Sequence, residues 1–357
     1  SEGVHHLFVE PEEGGDRCAS NPFWCTNRNL QVYYGDLHCH SMYHGNGRSI
    51  GTPEEGYQYG RDVAGLDFMG ITDGGGYKSE GWVETQEVTN QYHEPGKFVT
   101  FKGFEYGYQL GHRNVIYRDC EVEPVLDFSD GFFEYYRGRE DRLIIPHHTK
   151  VRTDWDYYDP DLEPLVEVYS CWGSGVEHAD PLWNKSENEG AGVFNALRRG
   201  YRMGFIGSGD SHSGMPGRSY PQGRQWFMHQ KSGFACVYAS ELTREAIFDA
   251  LRKRHCYATT GVRAILEFSV NDTVMGKETI VHDPVADRSI RVHIIGSSSL
   301  KSLCIIKNNA CLVEKELDRQ EEFFEYYDTT DAAQDDYYYV RIIQEDGNTI
   351  WSSPIWI

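Results

Sequence analysis

Histidine and carboxylate residues recur where the apolar segments of this chain end. Residues 35–41, GDLHCHS, contain His38 and His40, and residues 207–212, GSGDSH, contain Asp210 and His212. Residues two apart on a strand point to the same side, so the members of each pair can act together. Imidazole nitrogens suit zinc, manganese or iron, and carboxylates neutralise and bridge cations. The two motifs therefore predict parts of one metal site.

Further segments add candidate ligands to these two pairs. They are Asp73, Glu105, His112, His147 and His148. Each of these signals is weak alone, but their recurrence in segment after segment favours a common site. Because histidines and carboxylates gather without thiols, they predict a hydrolytic site with a position open for water.

Some of these residues also have a structural interpretation. Asp73 could cap the turn of TDGGG, and His148 could hydrogen-bond a backbone carbonyl. Neighbours on a strand face opposite ways, so only one of His147 and His148 should point into the site. The residues by themselves leave the choice between these two histidines open.

The apolar segments alternate with helix-like segments such as TREAIFDALRKR, residues 243–254. This alternation predicts a mainly parallel α/β arrangement, in which functional residues collect at the C-terminal ends of strands. After Gly261 the helical segments stop, and short strands separated by turns predict an antiparallel sandwich. We expect a surface extension over 1–30, an α/β domain over 31–262 and an all-β domain over 263–357.

The charge of the chain limits its partners. The 357 residues include 34 Lys and Arg against 55 Asp and Glu, a formal charge of −21. Such a charge repels nucleic-acid backbones and anionic membranes, so neither is an expected partner. An anionic substrate would need a locally positive site, most simply supplied by bound metal. The oligomeric state is left open.

The cysteines indicate neither a zinc finger nor a dithiol redox site, because nine of them are scattered without a CxxC pair. The one plausible disulfide joins Cys18 and Cys25. No charged and then apolar leader is found at the start of the sequence, which slightly favours the cytoplasm over export.

The ordered motifs resemble those of the polymerase and histidinol phosphatase (PHP) superfamily of metal-dependent phosphoesterases, and especially its DUF3604 branch. The resemblance covers about residues 31–262 through YYGDLHCHS, GLDFMGITD, GKFVTFKGFE, GHRNVIY, IIPHH, VEVYS, GSGDSH and ELTREAIFDALRKRHCYATTG. The ending YYYVRIIQEDGNTIWSSPIWI is similar to the tail of that branch. The resemblance implies a distorted (β/α)7 barrel followed by a small immunoglobulin-like β-sandwich.

The resemblance also implies ligands for two metals. The first would be held by His38, His40, Glu105 and Asp210. The second would share Glu105 and add His112 and His147, with His148 as competitor, while His212 matches the end of the closing Asp-x-His motif. Two of the three ligand positions for the family's third metal are Asn46 and Gly74 here. We therefore expect a binuclear centre of zinc, manganese or iron, with the third site empty or rebuilt with His44 or Asp73.

The expected reaction is hydrolysis of a phosphate mono- or diester by a metal-bound hydroxide. The candidate catalytic residues are Asp210, His212 and His148, of which the two histidines are candidate proton donors. Glu167 could orient a ligand histidine. Basic residues near the ligands are candidates for binding a small anionic ester: Lys102, Arg113, Lys150, Arg152, Arg218 and Arg224.

Two other functions stay open. The same centre could hydrolyse a sulfate, carboxylic or carbonic ester or an amide, because substrates with less charge than a phosphate monoester have less need of a third cation. Alternatively, the metals could be structural and the β-sandwich could bind a carbohydrate or a partner. The intact set His38, His40, Glu105 and Asp210 speaks against this non-enzymatic reading.

Overall fold

The computed structural model describes residues 2–10, 16–74, 81–108, 110–124, 128, 131–149, 152–176, 189–221, 230–279 and 287–357. Over these residues the chain is mixed α/β, rich in strands and poor in helices. No helix among them is both long and apolar enough to cross a membrane.

The N-terminal segment forms two small antiparallel ladders. Its strands are β1 (Gly3–His5), β2 (Phe8–Val9), β3 (Cys18–Ala19) and β4 (Phe23–Cys25). Strand β1 pairs with β4, and β2 pairs with β3. The predicted disulfide is wrong, because Cys18 and Cys25 are both free and lie in different ladders, opposite Val9 and Gly3.

The next part of the chain contains the candidate ligands. Its strands are β5 (Gln31–Cys39), β6 (Phe68–Ile71), β7 (Val99–Tyr108), β8 (Gly111–Tyr117), β9 (Arg142–Pro146), β10 (Leu165–Ser170), β11 (Gly173–Ser174), β12 (Gly204–Gly207), β13 (Phe234–Ala239) and β14 (Cys256–Thr259). Its α-helices are α1 (Pro53–Asp62), α2 (Gly81–Gln91), α3 (Phe132–Tyr136), α4 (Val193–Arg198) and α5 (Arg244–Arg252).

Helix α1 shows how local sequence starts these elements. The Thr52 hydroxyl accepts from the Glu55 backbone N–H at 3.2 Å, and the Glu55 carboxylate accepts from the Thr52 backbone N–H at 2.8 Å. Pro53 then occupies the first turn, where it has no hydrogen bond to lose. The helix therefore begins directly after the loop that leaves β5.

The strand pairing is mixed instead of mainly parallel as predicted. Strands β5, β6 and β7 are parallel, as are β10 and β12. Strand β8 is antiparallel to both β7 and β9, and β13 is antiparallel to β5 and β14. Only two residues separate Tyr108 from Gly111, and a link this short makes a hairpin, because a parallel crossover needs a dozen residues or more.

The remaining strands lie after residue 262. They are β15 (Ile265–Val270), β16 (Thr273–Val274), β17 (Arg288–Ile295), β18 (Leu300–Lys307), β19 (Ala310–Glu316), β20 (Glu321–Asp328), β21 (Tyr337–Gln344), β22 (Thr349–Ser352) and β23 (Ile355–Trp356). One sheet has the order β16-β15-β17-β20. Strands β19, β18, β21 and β22 instead continue the larger sheet, because β22 pairs with β14.

Apolar packing also crosses the predicted boundary near residue 262. Trp351 of β22 is fully buried in a cluster with Ala258 of β14 and Phe205 of β12. The division into domains at residue 262 stays a prediction, and the sheet and this cluster connect its two sides.

Candidate metal centre

Strand β5 delivers the first two candidate ligands. His38 and His40 are buried, with ring centroids 5.0 Å apart. The Nδ1–H of His38 donates to Glu167 Oε2 at 2.8 Å, which leaves His38 Nε2 facing Asp210 Oδ1 at 3.4 Å. His40 Nε2 lies 3.1 Å from the same Asp210 oxygen and 3.6 Å from Glu105 Oε2. The strand thus places both rings against two carboxylates from distant segments.

The β7–β8 hairpin and the end of β9 supply the next group. Glu105 Oε1 accepts hydrogen bonds from His112 Nδ1 and, at 2.9 Å, from His147 Nε2. The expectation that only one of His147 and His148 would point inward is wrong, because β9 ends at Pro146 and the two histidines follow it. His148 has a positive φ of 54°, and its Nε2 lies 3.5 Å from Asp210 Oδ2.

The loop after β12 presents Asp210 and His212. The Asp210 backbone N–H donates to the His38 carbonyl at 2.6 Å, and the His40 N–H donates to the Ser211 carbonyl at 2.9 Å. Asp210 has a φ of 49°, a conformation that is costly for a residue with a side chain and is found mostly where surroundings enforce it. The loop is therefore tied directly to the histidine strand.

Asp36 makes a further connection that the sequence analysis missed. Its Oδ1 accepts from the backbone N–H groups of His38 at 3.1 Å and Gly209 at 2.8 Å, and its Oδ2 accepts from Gly217 at 3.1 Å. Burial raises its pKa to about 6. A Cβ on Gly209 would lie 2.4 Å from Asp36 Oδ2. The signal was present in GDLHCHS, since Asp36 alternates with His38 and His40.

The donors fit divalent cations. Three groups have ligand atoms within 4.8 Å of one another: Glu105, His112, His147 and His148; His40, His44 and His212; and His38, His40 and Asp210. Among the described residues, the buried atoms His38 Nε2 and Asp210 Oδ2 have no hydrogen-bond partner, although buried polar atoms are normally satisfied. A cation between the groups would satisfy them.

The carboxylates are held in the form that ligation requires. Burial opposes ionisation of Glu105, but hydrogen bonds from His112 and His147 hold its pKa well below the ordinary value. Burial likewise opposes ionisation of Asp210, and His38 and His40 hold its pKa well below the ordinary value. Both side chains are therefore anionic at neutral pH.

The two departures from the family pattern have local explanations. Asn46 Oδ1 accepts from the backbone N–H groups of Arg48 at 2.9 Å and Ser49 at 3.1 Å, so it closes its own loop. At Gly74, the missing side chain leaves room for His44: a Cβ there would lie 3.2 Å from His44 Cε1. The Gly74 N–H donates to His44 Nδ1 at 3.0 Å.

Asp73 and Glu167 lie beside the candidate ligands and bind their neighbours. Asp73 accepts from the backbone N–H of Ser41 at 2.7 Å and from its hydroxyl, and lies 4.0 Å from His40 Nδ1. Burial raises the pKa of Glu167 to about 7, although His38 opposes the shift. These contacts fix the segments that present His38 and His40.

The predicted substrate-binding cations are mostly occupied elsewhere. Arg113 is fully buried and donates to Glu163 at 2.7 Å, and Lys102 donates to the Trp82 carbonyl at 3.1 Å. Arg218 is buried and donates to the Ser213 hydroxyl at 3.3 Å. Lys150 and Arg224 lie outside the described residues.

A cavity of about 210 Å³ opens onto the cluster. Its lining residues are His44, Asn46, Arg48, Glu105, His112, His148, Arg152, Trp172, Asp210 and His212. A larger cavity, about 1070 Å³, lies between the N-terminal segment and strands β15, β17 and β20. No metal-ligand cluster of the described residues borders it, so the smaller cavity is the candidate site.

Comparisons with known proteins agree with the motifs. The model of the DUF3604 family, a protein family of unknown function, matches residues 64–132 and 218–290. The chain is 25% identical over 397 aligned positions to an uncharacterized protein of Chlamydia muridarum (strain MoPn / Nigg), and 26% identical over 397 positions to one of Chlamydia trachomatis serovar D. Each alignment covers 99% of this chain and 62% of the relative, so the chain spans under two thirds of these relatives.

Among solved structures, the chain is similar to a two-domain protein of Bacteroides vulgatus described as containing a predicted PHP-like metal-dependent phosphoesterase. The TM-score is 0.48 at 14% identity, with 96% of this chain and 99% of the other covered. Glu105 and His112 lie inside the segments matched by the family model. The family match confirms the predicted resemblance of this chain to DUF3604 over the matched segments, and the His, Glu and Asp cluster fits the metal site that the resemblance implies.

Proposed function

We propose that this protein is a metal-dependent hydrolase of small phosphate mono- or diesters. The observation that carries the proposal is the buried convergence of His38, His40, Glu105 and Asp210, with two donor atoms left unsatisfied. When bound there, divalent cations would neutralise the ester and lower the pKa of an attacking water. The cavity of about 210 Å³ favours a small-molecule substrate.

We assign the ligands to a binuclear centre. His38, His40, Glu105 and Asp210 would hold one cation of zinc, manganese or iron, and Glu105, His112 and His147 the other. His148 competes with His147 for the place in the second set of ligands, because both belong to the cluster around Glu105. Its Nε2 also lies 3.5 Å from Asp210 Oδ2. We do not assign a third cation, because Asn46 closes its own loop and Gly74 supplies no ligand side chain.

The histidines at the cavity differ in which nitrogen carries the hydrogen. His212 Nδ1–H donates to the Asp210 carbonyl at 3.0 Å, so the neutral ring offers a lone pair at Nε2. His44 Nδ1 accepts from Gly74, so its neutral ring carries the hydrogen at Nε2. Burial lowers the pKa of His44 to about 3, which keeps the ring neutral. We therefore assign to His44 the donation of a hydrogen bond to the substrate. His148 and His212 remain the candidates for exchanging protons with the substrate.

The proposed fold follows the family expectation. We interpret residues 31–262 as a distorted (β/α)7 barrel whose strand ends collect the ligands, and residues 263–357 as an immunoglobulin-like sandwich. The ligands at or just after the ends of β5, β9 and β12 support this interpretation. In the barrel, the hairpin β7–β8 would take the place of one helical crossover.

A second candidate is hydrolysis of a sulfate, carboxylic or carbonic ester or an amide at the same centre. The side chain of Asn46 favours it, because its engagement in a loop leaves fewer groups to hold a third cation. A phosphate monoester carries more charge than these substrates and would gain more from that cation.

The test is a hydrolysis screen with protein loaded with Zn²⁺, Mn²⁺ or Fe²⁺. The substrates are p-nitrophenyl phosphate, bis(p-nitrophenyl) phosphate, p-nitrophenyl sulfate and p-nitrophenyl acetate. We expect metal-dependent release of p-nitrophenol from a phosphate ester, and about a 100-fold or larger loss in Asp210→Asn. The control Asp331→Asn, at an exposed position, should match the wild type.

Turnover of the sulfate or acetate alone would replace the phosphoesterase proposal by the second candidate. Metal binding without turnover of any substrate would favour the non-catalytic alternative, a carbohydrate- or partner-binding protein. Metal content measured on the same samples separates a missing cation from a wrong substrate.

A further inference from the structure

The candidate cavity has a buried floor and a charged mouth. At the floor, Asp210 is 1% exposed and Glu105 is 6% exposed. Asn46, Arg48 and Arg152 also line the cavity but are exposed. The two arginines therefore stand between the proposed metal ligands and solvent.

The loop that contains Arg48 is held against the metal cluster. Asn46 Oδ1 closes the loop on the backbone N–H of Arg48 and on the N–H and hydroxyl of Ser49, the hydroxyl at 3.2 Å. The next residue, Ile50, donates its N–H to the His212 carbonyl at 3.1 Å. Arg48 is thus on a short loop fixed at both ends, although its own side chain makes no ion pair with any described residue.

Arg152 approaches the same cavity from the segment after β9. Its Nη1–H donates to His112 Nε2 at 2.9 Å, and among the described residues it has no carboxylate partner. Other arginines of this acidic chain, such as Arg199 and Arg291, pair with carboxylates within 2.6 Å. Two guanidinium groups at one mouth, neither with an acidic partner among the described residues, are suited to an incoming anion.

The position of these groups decides which part of a substrate they meet. If the proposed function holds, the phosphate to be cleaved binds at the floor, where the ligands converge. The arginines at the mouth then face the leaving group. Among the described residues that line the cavity, only Glu105 and Asp210 are acidic, and both lie at the floor. The described part of the mouth therefore contains no carboxylate that would repel an anion.

We propose that Arg48 and Arg152 form a second anion-binding subsite, and that the substrate is a small phosphate ester whose leaving group carries its own anionic group, a carboxylate or a phosphate. The inference rests on the proposed function for its orientation. The subsite selects esters with a second anionic group over esters of equal length whose only anionic group is the phosphate.

Non-hydrolysable phosphonates test the subsite apart from catalysis. Binding of 4-phosphonobutanoate, butane-1,4-diyl bisphosphonate and the matched 4-hydroxybutylphosphonate to zinc-loaded protein is measured by calorimetry. A charge-assisted hydrogen bond contributes about 1.5 kcal/mol or more. We therefore expect a ligand with a second anionic group to bind about tenfold more tightly than 4-hydroxybutylphosphonate. Comparing 4-phosphonobutanoate with the bisphosphonate shows whether the subsite favours a carboxylate or a phosphate group.

The variants Arg48→Gln and Arg152→Gln should each reduce this preference to about threefold or less, and Arg48→Lys should restore part of it. Arg319→Gln, in the distant C-terminal region, is the control and should keep the wild-type preference. Raising the salt concentration should weaken the preference, because exposed charges are screened. Metal content is measured for each variant, since Arg152 contacts His112.

A wild-type preference of less than about twofold, binding of none of the phosphonates, or a preference that survives in both glutamine variants would overturn the subsite. The phosphoesterase proposal is judged separately, by hydrolysis of p-nitrophenyl phosphate. A protein that cleaves this ester without preferring the phosphonates that carry a second anionic group would keep its proposed function and lose the subsite.

Discussion

At the scale of single residues, the site depends on groups that position the ligands. Glu167 accepts from His38 Nδ1 and so turns His38 Nε2 toward Asp210. Such a partner fixes both the tautomer and the orientation of a ligand histidine. Asp36 has an analogous effect on the backbone, because its carboxylate joins β5 to the two loop segments at Gly209 and Gly217.

Replacing Glu167 should weaken metal binding without unfolding the protein. We expect Glu167→Ala to lower zinc affinity by about 10- to 100-fold, and Glu167→Gln to have a smaller effect because its carbonyl oxygen can still accept from His38. Competition with a chelator measures the affinity, and circular dichroism checks the fold. The exposed Glu345→Ala serves as control; equal zinc affinity in Glu167→Ala and wild type would show that Glu167 does not orient a ligand.

At the scale of elements, two glycines of α1 have opposite surroundings. A Cβ on Gly56 would meet only Ile71 Cδ1, at an ordinary 3.7 Å, whereas a Cβ on Gly60 would lie 2.5 Å from the sulfur of the buried Met69. Helix interiors favour alanine over glycine because alanine has less backbone freedom to lose. The helix therefore contains one replaceable glycine and one that its packing against β6 requires.

We expect Gly56→Ala to raise the free energy of unfolding by about 0.5–1 kcal/mol. Gly60→Ala should lower it by about 1–3 kcal/mol, because Met69 must move in a packed core. Urea denaturation of the two variants, each the control for the other, measures the difference. A loss of stability in Gly56→Ala would contradict this account of the helix.

The end of β20 contains a buried charge network. Asp328 Oδ2 accepts from Tyr338 at 2.6 Å and Lys307 at 3.1 Å, and lies 3.3 Å from Arg288 Nη2. Burial opposes ionisation, but the hydrogen bonds from Tyr338, Thr330 and Lys307 hold the pKa of Asp328 below its ordinary value. The network connects β20 to β17, β18 and β21.

Because the folded-state pKa of Asp328 is lowered, its contribution to stability is present above the unfolded pKa of about 4 and is lost as pH falls through the folded value. We expect Asp328→Asn to lower the free energy of unfolding by about 3 kcal/mol at pH 7, since buried Arg288 and partly buried Lys307 each lose an anionic partner, although Lys307 keeps Asp336. The difference from wild type should shrink below about pH 4. Urea midpoints at pH 7 and pH 3 measure it, with exposed Asp331→Asn as control; a difference independent of pH would contradict an ionic contribution.

At the scale of the whole molecule, the sheet joins the site-bearing region to the C-terminal strands. Tyr257 of β14 lies opposite Ser352 of β22, and Trp351 is buried against residues of both regions. The edge that β14 would otherwise expose is thereby paired, which removes a template for aggregation.

We expect both regions to unfold in one transition. Far-UV circular dichroism reports the strands as a whole, and loss of bound zinc reports the site, so their urea midpoints should coincide. Trp351→Ala should lower both midpoints together, by about 3–5 kcal/mol of unfolding free energy. Two separated transitions would show that residues before and after 262 fold independently.

Local sequence predicted the elements whose signals are short-range. The alternation of His38 with His40 depends only on neighbouring residues, and the structure buries both side chains at the site. The pairing of strands could not be predicted as well, because the hairpin β7–β8 reverses direction within a few residues inside a pattern typical of parallel sheets. Cys18 and Cys25 do not form a disulfide, because they lie in two separate ladders. The spacing of the two residues in the sequence does not show this separation.

The sequence by itself determined the chemical identity and order of the candidate ligands, because donor types and two-residue alternation are properties of the chain. Only the tertiary structure decided which charges face the cavity: Arg113 turns to Glu163, while Arg48 and Arg152 line the mouth. It also brought His44 into the space beside Gly74 and turned both His147 and His148 inward. Side-chain direction depends on where strands end and what packs against them, and those contacts join residues far apart in the sequence.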